Sequence, residues 1–133
     1  MEYKDFGAER LNDVLRLYKD AGWTAYLKDD EALRRALENS PYLTGAFEDG
    51  DLVGFVRCVG DCEHIVYVQD LIVHNQYRRR GIGSALLKNA MARFAHVRMF
   101  TLITDAQDED ANAFYRALGL KAYAAGGLAG YYR

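Results

Sequence analysis

Little in this sequence points toward a secreted, membrane-embedded or nucleic-acid-binding protein. Only two of its 133 residues are cysteines, Cys58 and Cys62, and no histidine stands near them at zinc-ligand spacing. No apolar run approaches the roughly 20 residues that cross a bilayer, and the polar first five residues cannot form a signal peptide. The formal net charge of −2 lacks the basic excess of a nucleic-acid binder. We expect a cytoplasmic protein with reduced thiols that binds no metal, nucleic acid or membrane.

What is present is the composition of an ordinary globular domain. Hydrophobic residues make up 50% of the chain and charged residues 27%, a balance that supplies one apolar core. A chain of 133 residues fits one compact domain. No internal repeat, low-complexity stretch or linker divides it. Residues 1–133 are therefore predicted to form a single domain.

Hydrophobic periodicity predicts a mixed α/β fold. Apolar residues at helical spacing indicate helices, whereas runs rich in β-branched and aromatic residues indicate strands, two of them joined by the hairpin signal Asp49-Gly50. The order β-α-α-β-β-β-α-β-α-β-β predicts a sheet with helices on both faces. The predicted elements are a strand at 1–6, a helix at 8–20, a helix capped by Asp29 or Asp30, strands at 42–48, 51–59 and 64–73, a helix at 84–95, a strand at 99–104, a helix at 108–118, and closing strands at 120–124 and 128–132.

A glycine- and arginine-rich segment, Arg78-Arg79-Arg80-Gly81-Ile82-Gly83, lies between a predicted strand and a predicted helix. Glycine lets a ligand approach the main chain, and the unpaired N–H groups at a helix start favour a phosphate-type anion. Arginines add charge and forked hydrogen bonds. The segment matches neither a Walker loop nor the Rossmann fingerprint, because no Gly-Lys-Ser/Thr follows and Leu86 replaces the third glycine. A tight turn with solvated arginines is the alternative interpretation.

The wider stretch, residues 71–87, resembles the acetyl-CoA-binding motif of the GNAT superfamily of N-acetyltransferases. The family signature Gln/Arg-x-x-Gly-x-Gly/Ala is matched by Arg78, Gly81 and Gly83. Residues 111–120 are similar to the second landmark of the family, a helix with the pattern Ala-x-x-Phe-Tyr-x-x-x-Gly-Phe. The resemblance spans nearly the whole chain. It implies an α/β (α+β) fold with a mixed, mostly antiparallel central sheet of about six to seven strands flanked by four helices.

The resemblance also implies how acetyl-CoA is held. The end of the fourth strand would pair its backbone with the pantetheine arm, and the glycine segment would surround the pyrophosphate with main-chain donors. Tyr115 would lie near the thioester sulfur, where a phenol with a reference pKa of about 10 can protonate the departing thiolate. The cofactor-binding residues implied in this way are Leu71, Ile72, Val73, Arg78, Arg79, Arg80, Gly81, Ile82, Gly83 and Ser84.

One position departs from the family pattern. Members often carry an Asn seven residues before the tyrosine that matches Tyr115, and this Asn contacts the cofactor. Asp108 stands there instead, and Asn112 is nearby but out of register. Asp108 can simply cap the helix that follows it.

The resemblance places four residues near the acceptor amine. Trp23 and Tyr26 lie between the first two helices, in the segment that lines the acceptor cleft of this family. They can stack on a substrate or hold its cation, or they can fold the segment onto the core. Tyr67 and Gln69 match positions where the family commonly has a water-linked base, yet neither is a good base.

No general base is therefore assigned, and a chain of waters is an alternative to a single residue. The two-residue period of a strand puts Tyr67 and Gln69 on the same face as Leu71 and Val73. Asp70 would face the other way unless a bulge shifts the register. In the family, a backbone N–H near Leu71 would stabilise the tetrahedral oxyanion.

The sequence thus predicts an acetyl-CoA-dependent N-acetyltransferase that needs no metal. The acceptor is a primary amine of a small molecule or a protein, attacked directly in a ternary complex, since no Cys or Ser stands out as an acyl carrier. One alternative is a non-catalytic acyl-CoA-binding module. Another, a nucleotide or nucleic-acid binder that uses Arg78, Arg79 and Arg80, is disfavoured by the acidic total charge. A homodimer through residues 128–132 is a further hypothesis.

Overall fold

The computed structural model describes all 133 residues. It contains five strands and four α-helices, together with short 3₁₀ turns at Ala8–Arg10, Thr24–Leu27, Asn75–Tyr77 and Tyr123–Gly126. In chain order the main elements are β1 (Glu2–Asp5), α1 (Leu11–Ala21), α2 (Asp30–Glu38), β2 (Tyr42–Glu48), β3 (Asp51–Val59), β4 (Ile65–Val73), α3 (Ile82–Arg93), β5 (Met99–Leu102) and α4 (Glu109–Ala117).

Local sequence signals explain several of these boundaries. Asp49 and Gly50 take φ values of 50° and 85°, the left-handed pair that a tight hairpin between β2 and β3 requires. The Asp29 carboxylate accepts from the Ala32 backbone N–H at 3.0 Å and so caps α2. The hairpin and this cap confirm the predictions. Helix α3 begins at Ile82, two residues earlier than expected, because Gly81 already takes the cap position.

The five strands form one sheet in the order β1-β2-β3-β4-β5. The pairs from β1 to β4 are antiparallel, whereas β5 lies parallel to β4. The sheet is therefore mixed and mostly antiparallel, which confirms the predicted architecture.

Helices α1 and α2 pack on one face of the sheet, and α3 packs against β2, β3 and β4. Because side chains alternate along a strand, Phe55 faces α1 and α2 whereas its neighbour Val56 faces the other side. The buried core on the α1–α2 face consists of Leu11, Val14, Leu17, Tyr18, Leu33, Leu37, Leu43, Phe47, Leu52, Phe55 and Ile72.

The two closing strands predicted at 120–124 and 128–132 do not form, so the strand number falls short of the predicted six to seven. Residues 123–126 form a 3₁₀ turn instead, and nothing after them is regular. The segment is rich in alanine and glycine, which are weak strand formers, and contains no β-branched residue. Tyr131 and Tyr132 are almost fully exposed. No buried apolar face is therefore present to stabilise strand pairing in this segment.

The chain divides into two compact units, residues 1–102 and residues 103–133. The first unit contains the sheet with α1, α2 and α3. The second contains α4, capped by Asp108, whose carboxylate accepts from the Ala111 N–H at 2.9 Å. Gly119, with φ 90°, follows the end of α4, where a left-handed residue commonly ends a helix. Measured by length and apolar character, none of the helices qualifies as a bilayer-crossing segment.

Candidate active site

Strand β4 has an open edge over its second half. Strand β5 pairs with it only from Ile65 to Val68, the last pair being Val68 with Leu102. Beyond that point β4 continues to Val73 and pairs only with β3 on its other side. The predicted cofactor residues Leu71, Ile72 and Val73 lie in this half. An extended ligand arm can add to such an edge in the manner of another strand.

The loop from β4 to α3, residues 74–81, ends in a sharp backbone turn. Arg79 and Gly81 take φ values of 64° and 79°. The left-handed region suits glycine but is strained for arginine, by about 1–2 kcal/mol. Strain of this kind concentrates at ligand-binding segments. The turn brings the chain directly from the open half of β4 into the first residue of α3, Ile82.

The start of α3 has the features of an anion site. The N–H groups of Ile82, Gly83 and Ser84 have no carbonyl four residues earlier within the helix. The capping residue Gly81 offers no side-chain acceptor, and the first turn contains no acidic residue. Main-chain donors and the positive end of the helix dipole therefore remain available to a phosphate group.

The three arginines predicted from the sequence to bind the cofactor, Arg78, Arg79 and Arg80, are all exposed near the start of α3. Arg78 donates from Nε to the Val73 carbonyl at 3.4 Å. Arg80 lies 3.9 Å from Glu48 and 5.0 Å from the centre of the Tyr77 ring. These contacts leave much of each guanidinium in solvent, where it can contact an anion.

Asp20, near the end of α1, anchors the start of the loop, a contact that the sequence did not indicate. Its carboxylate accepts from the Asn75 backbone N–H at 2.9 Å and from the Asn75 side chain at 3.1 Å. His74 Nε2 lies 3.3 Å from the same carboxylate, while its Nδ1 accepts from the Gln76 N–H at 3.2 Å. The pattern fixes the Nε2–H tautomer, because Nδ1 is an acceptor. His74 thus helps to hold the loop in place through Asp20 and the Gln76 backbone.

A buried polar network lies beneath the segment between α1 and α2. Asp70 is 1% exposed and accepts three hydrogen bonds at 2.7 Å, from the Tyr18 hydroxyl, the Tyr26 hydroxyl and Arg57 Nε. Arg57 also donates to the Ser40 hydroxyl at 3.3 Å. A buried carboxylate needs an opposite charge and hydrogen bonds to be tolerated, and Asp70 has both. We call Tyr18, Tyr26, Arg57, Gln69 and Asp70 the Asp70 network.

A β-bulge in β4 brings Gln69 into this network. Arg57 of β3 pairs with Asp70, but Cys58 pairs with Val68, so Gln69 has no partner in the register. Gln69 Nε2 donates to the Tyr26 hydroxyl at 2.8 Å. Two consecutive residues, Gln69 and Asp70, therefore reach the same side chain. The sequence predicted opposite faces for Asp70 and Gln69 unless a bulge shifts the register, and this bulge is the exception that the prediction allowed.

The acceptor-side aromatics stack on this network. Tyr26 lies 4.2 Å from Tyr18, ring centre to ring centre, and Trp23 lies 6.0 Å from Tyr18. Trp23 is 36% exposed, whereas Tyr26 and Tyr67 are partly buried. The rings thus pack the segment onto the α1–α2 face and still present Trp23 to solvent. The geometry is compatible with both roles suggested for Trp23 and Tyr26, which are contact with a substrate and packing of the segment onto the core.

The network keeps its two phenols protonated. Burial, reinforced by the neighbouring Asp70 carboxylate, raises the pKa of Tyr18 well above its usual value. Burial also raises the pKa of Tyr26, against the opposing effect of the hydrogen bond from Gln69. The Asp70 charge in turn holds the pKa of Arg57 above its ordinary value in spite of burial. Both phenols remain donors and Arg57 remains a cation.

In the second unit, Tyr115 is a partly buried residue of α4. Its ring lies 5.3 Å from that of Phe114, and burial together with the Asp108 charge raises its pKa. A neutral phenol at physiological pH is the form a proton donor requires. Asn112 donates to the Asp105 and Asp108 carbonyls at 2.9 and 2.7 Å. Asp108 and Asn112 are thus occupied in shaping the start of α4.

The remaining reactive side chains form no second site. Cys58 is buried, and burial raises the pKa of its thiol to about 12, so the thiolate is scarce at neutral pH. No group of three or more His, Cys, Asp or Glu residues has the arrangement of a metal site.

The first unit thus defines a protein that can hold an extended, phosphate-bearing ligand along β4 and at the start of α3. The sequence profile described as the acetyltransferase (GNAT) family matches residues 8–120, which is most of the chain. The chain therefore belongs to the GNAT family of acetyltransferases.

Individual relatives agree with this assignment. A GNAT family acetyltransferase from Streptococcus pneumoniae is 34% identical with a TM-score of 0.85, over 99% of this chain and 94% of that one. The PaiA N-acetyltransferase of Thermoplasma acidophilum, in complex with coenzyme A, has a TM-score of 0.76 at 18% identity, over 90% of this chain and 89% of that one. The second likeness shows the fold alone.

A curated relative, the uncharacterised N-acetyltransferase ycf52 of Gracilaria tenuistipitata var. liui, is 24% identical over 115 residues. The match takes in 82% of this chain and 60% of that protein's length. Family, fold and the acetyltransferase class predicted from the sequence are confirmed.

Proposed function

We propose that this protein transfers an acetyl group from acetyl-CoA to a primary amine of a small molecule or a protein. The observation that carries the proposal is the continuity of the open β4 edge with the uncapped start of α3. Residues 74–81 join the two directly. An extended pantetheine arm and a pyrophosphate are the two parts of coenzyme A that these two features fit.

Each part of the cofactor has matching groups in the chain. The backbone of residues 71–73 would pair with pantetheine amides, because β5 leaves that edge unpaired. The N–H groups at the α3 start would bind the pyrophosphate, with Arg78, Arg79 and Arg80 around them. Bound there, acetyl-CoA supplies an activated thioester carbonyl.

On the amine side, the acceptor would meet Trp23, Tyr26, Tyr67 and Gln69. Asp70 is unsuited to take its proton, since the carboxylate is buried and already accepts three hydrogen bonds. Neither Tyr67 nor Gln69 is a base at neutral pH. The proton of the amine therefore leaves through water.

The transfer itself proceeds by direct attack in a ternary complex. The amine nitrogen bonds to the thioester carbon, the carbon–sulfur bond breaks, and the sulfur keeps the electron pair as a thiolate. Tyr115 donates its phenolic proton to that thiolate and regains one from solvent. A backbone N–H of the bulged strand, near Leu71, stabilises the oxyanion of the intermediate.

A non-catalytic acyl-CoA-binding module is the second candidate function. One observation favours it: no side chain with an accessible basic atom occupies position 67 or 69, and the nearby carboxylate of Asp70 is fully engaged. The cofactor-binding features would be the same in both cases. Turnover alone separates the two.

The proposal also includes a cytoplasmic location and no role in binding nucleic acid or membranes. These parts of the proposal rest on the sequence alone. The formal net charge is −2, and transfer of an acetyl group from acetyl-CoA to an amine requires neither a nucleic acid nor a membrane.

Two measurements test the function. Calorimetry with acetyl-CoA measures binding, and release of free CoA thiol measures turnover with spermidine, kanamycin, lysine and an alanine-initiated peptide. Binding with amine-dependent CoA release supports the transferase. Binding without release for any of the four amines supports the binding module, and no binding refutes both.

A further inference from the structure

The hydrogen bonds of the Asp70 network run in one fixed direction. An ionised carboxylate only accepts, so the Tyr26 hydroxyl must donate to Asp70 Oδ1, at 2.7 Å. That donation uses the single proton of the hydroxyl. The Tyr26 oxygen can then only accept from Gln69, which it does from Nε2 at 2.8 Å. The orientation of the Gln69 amide is thus set by Asp70 through Tyr26.

We propose that Asp70 is a positioning residue for the acceptor amine. Through Tyr26 it turns the Gln69 amide so that Nε2 points into the network and Oε1 points away from it, toward the acceptor. Gln69 Oε1 then accepts a hydrogen bond from an N–H of the attacking amine. The inference rests on the proposed function and adds the group that recognises its substrate.

The contrast in exposure between the two residues supports these roles. Asp70 is 1% exposed and cannot meet a substrate, whereas Gln69, its neighbour, is exposed. The bulge in β4 makes this possible, since it lets consecutive residues share the Tyr26 hydroxyl. An amide oxygen accepts from an amine without retaining its proton, which suits a nucleophile that must be neutral when it attacks.

The charges around Asp70 stabilise its acceptor role. Arg57 Nε lies 2.7 Å from Oδ2, the oxygen that also accepts from Tyr18, so Oδ1 is left to Tyr26. Both phenols keep their protons, because burial raises the pKa of each. Both hydroxyls therefore act as donors to Asp70, which keeps the Tyr26 oxygen as the acceptor for Gln69.

Asp70→Asn gives a specific signature. Arg57 and Tyr18 both donate at the Oδ2 position, so the asparagine oxygen would face them and its NH₂ group would face Tyr26. Tyr26 would then have to accept from Asn and donate to Gln69. The Gln69 amide would turn over and present Nε2, a donor, to the acceptor. A residue with a purely packing role would produce no such inversion.

The orientation can be tested on the protein without any substrate. In ¹⁵N NMR spectra, the Gln69 side-chain NH₂ signals are assigned by their absence in Gln69→Leu. We expect them to exchange slowly with water in the original protein and faster in Tyr26→Phe and Asp70→Asn. Tyr42→Phe, which alters a partly buried tyrosine packed on Phe94, is the matched control and should leave them unchanged. Unchanged exchange in Tyr26→Phe would overturn the proposed orientation.

Kinetics test the role in catalysis with the amine that gives the highest turnover in the four-amine screen. Gln69→Leu and Tyr26→Phe should each lower kcat/KM for that amine about tenfold, with the Kd for acetyl-CoA unchanged. The Tyr26→Phe/Gln69→Leu double variant should lose no more than Gln69→Leu alone, because the Tyr26 hydroxyl acts through Gln69 and Phe keeps the ring that would meet the acceptor. Additive losses, or full activity in Gln69→Leu, would overturn the proposal.

Two outcomes are kept separate by this design. If none of the four amines is acetylated, the proposed function fails and the amine contact fails with it, while the NMR result alone decides whether Asp70 orients Gln69. If Asp70→Asn does not fold, Tyr26→Phe and the Tyr26→Phe/Gln69→Leu double variant still decide whether the network orients Gln69. Both variants leave the Arg57–Asp70 ion pair intact.

Discussion

Replacing Arg57 by Met removes the positive partner of a carboxylate that is almost fully buried. The Arg57 and Asp70 side chains are 5% and 1% exposed, and Nε lies 2.7 Å from Oδ2. Two unit charges about 4 Å apart interact by about 4 kcal/mol at an effective dielectric constant of 20. Loss of one partner of a buried pair typically destabilises a protein by about 3–5 kcal/mol. We expect a loss of this size for Arg57→Met.

Tyr18 and Tyr26 reduce the loss of stability expected for Arg57→Met. In Arg57→Met the carboxylate of Asp70 keeps both phenolic donors, so its desolvation is only partly uncompensated. The Arg57→Met/Asp70→Asn double variant restores electrical neutrality while it keeps a hydrogen-bonding side chain at position 70. Its loss should be smaller than the sum of the single losses, by about 2 kcal/mol.

Urea unfolding provides the assay. Trp23 is the only tryptophan and stacks 6.0 Å from Tyr18, so its fluorescence reports on the network, and circular dichroism reports on the whole fold. Arg34→Met is the control, because the Arg34 side chain is 42% exposed and its ion pair with Glu31 is long, at 3.9 Å; the substitution should change stability by less than about 1 kcal/mol. If Arg57→Met is no more damaging than Arg34→Met, at an unchanged m-value, the pair is hydrated and our reasoning is wrong.

Four further predictions concern the rest of the chain. Tyr115→Phe should lower kcat about 10²- to 10⁴-fold with little change in acetyl-CoA affinity, and full turnover would exclude Tyr115 as the proton donor. Gly83→Asp should abolish acetyl-CoA binding in calorimetry, because a carboxylate at the α3 start repels the pyrophosphate. The pKa of Cys58 is about 12 in the folded protein against a reference of 9.0, so the unfolded chain loses that proton first and stability should fall as pH rises above about 9. Denaturation midpoints from pH 8 to 11 should decline less steeply in Cys58→Ala. Light scattering tests a homodimer through residues 128–132, and a monomer at high concentration would exclude it.

The sequence predicted best what depends on neighbours in the chain. The Asp49-Gly50 hairpin and the caps Asp29 and Asp108 follow from local backbone preferences, and all three formed. The sequence also predicted the strand-to-helix turn before α3 from its glycines. Gly81 takes a φ of 79° there, a conformation that favours glycine. The prediction of closing strands at 120–124 and 128–132 was wrong because strand formation does not depend on chain neighbours alone. A pair of short strands needs a partner and a buried face, and no local pattern in the last 14 residues provides them.

The Asp70 network could not be predicted, since its members are far apart in the sequence. Tyr18 and Asp70 are 52 positions apart and Tyr26 and Gln69 are 43 apart, yet their polar atoms lie within 2.8 Å of their partners. The bulge that joins Gln69 to Asp70 arises from the register between β3 and β4, which is a property of strand pairing. Alternation along β4 separates Asp70 from Gln69, and only the bulge lets both side chains reach Tyr26.

This difference divides the candidate site into two parts with different freedom to change. The proposed cofactor part uses mostly main-chain groups of one continuous segment, residues 71–84, so we expect most side-chain substitutions elsewhere to leave it intact. The proposed amine part depends on side chains from α1, the following turn, β3 and β4, which are held together by the buried Asp70 carboxylate. If the proposal holds, a substitution at Tyr26 or Gln69 should alter which amine is accepted without altering the affinity for acetyl-CoA. Acceptor choice in this chain should accordingly be sought in the residues that surround Asp70, and acetyl-CoA affinity in the turn at Gly81.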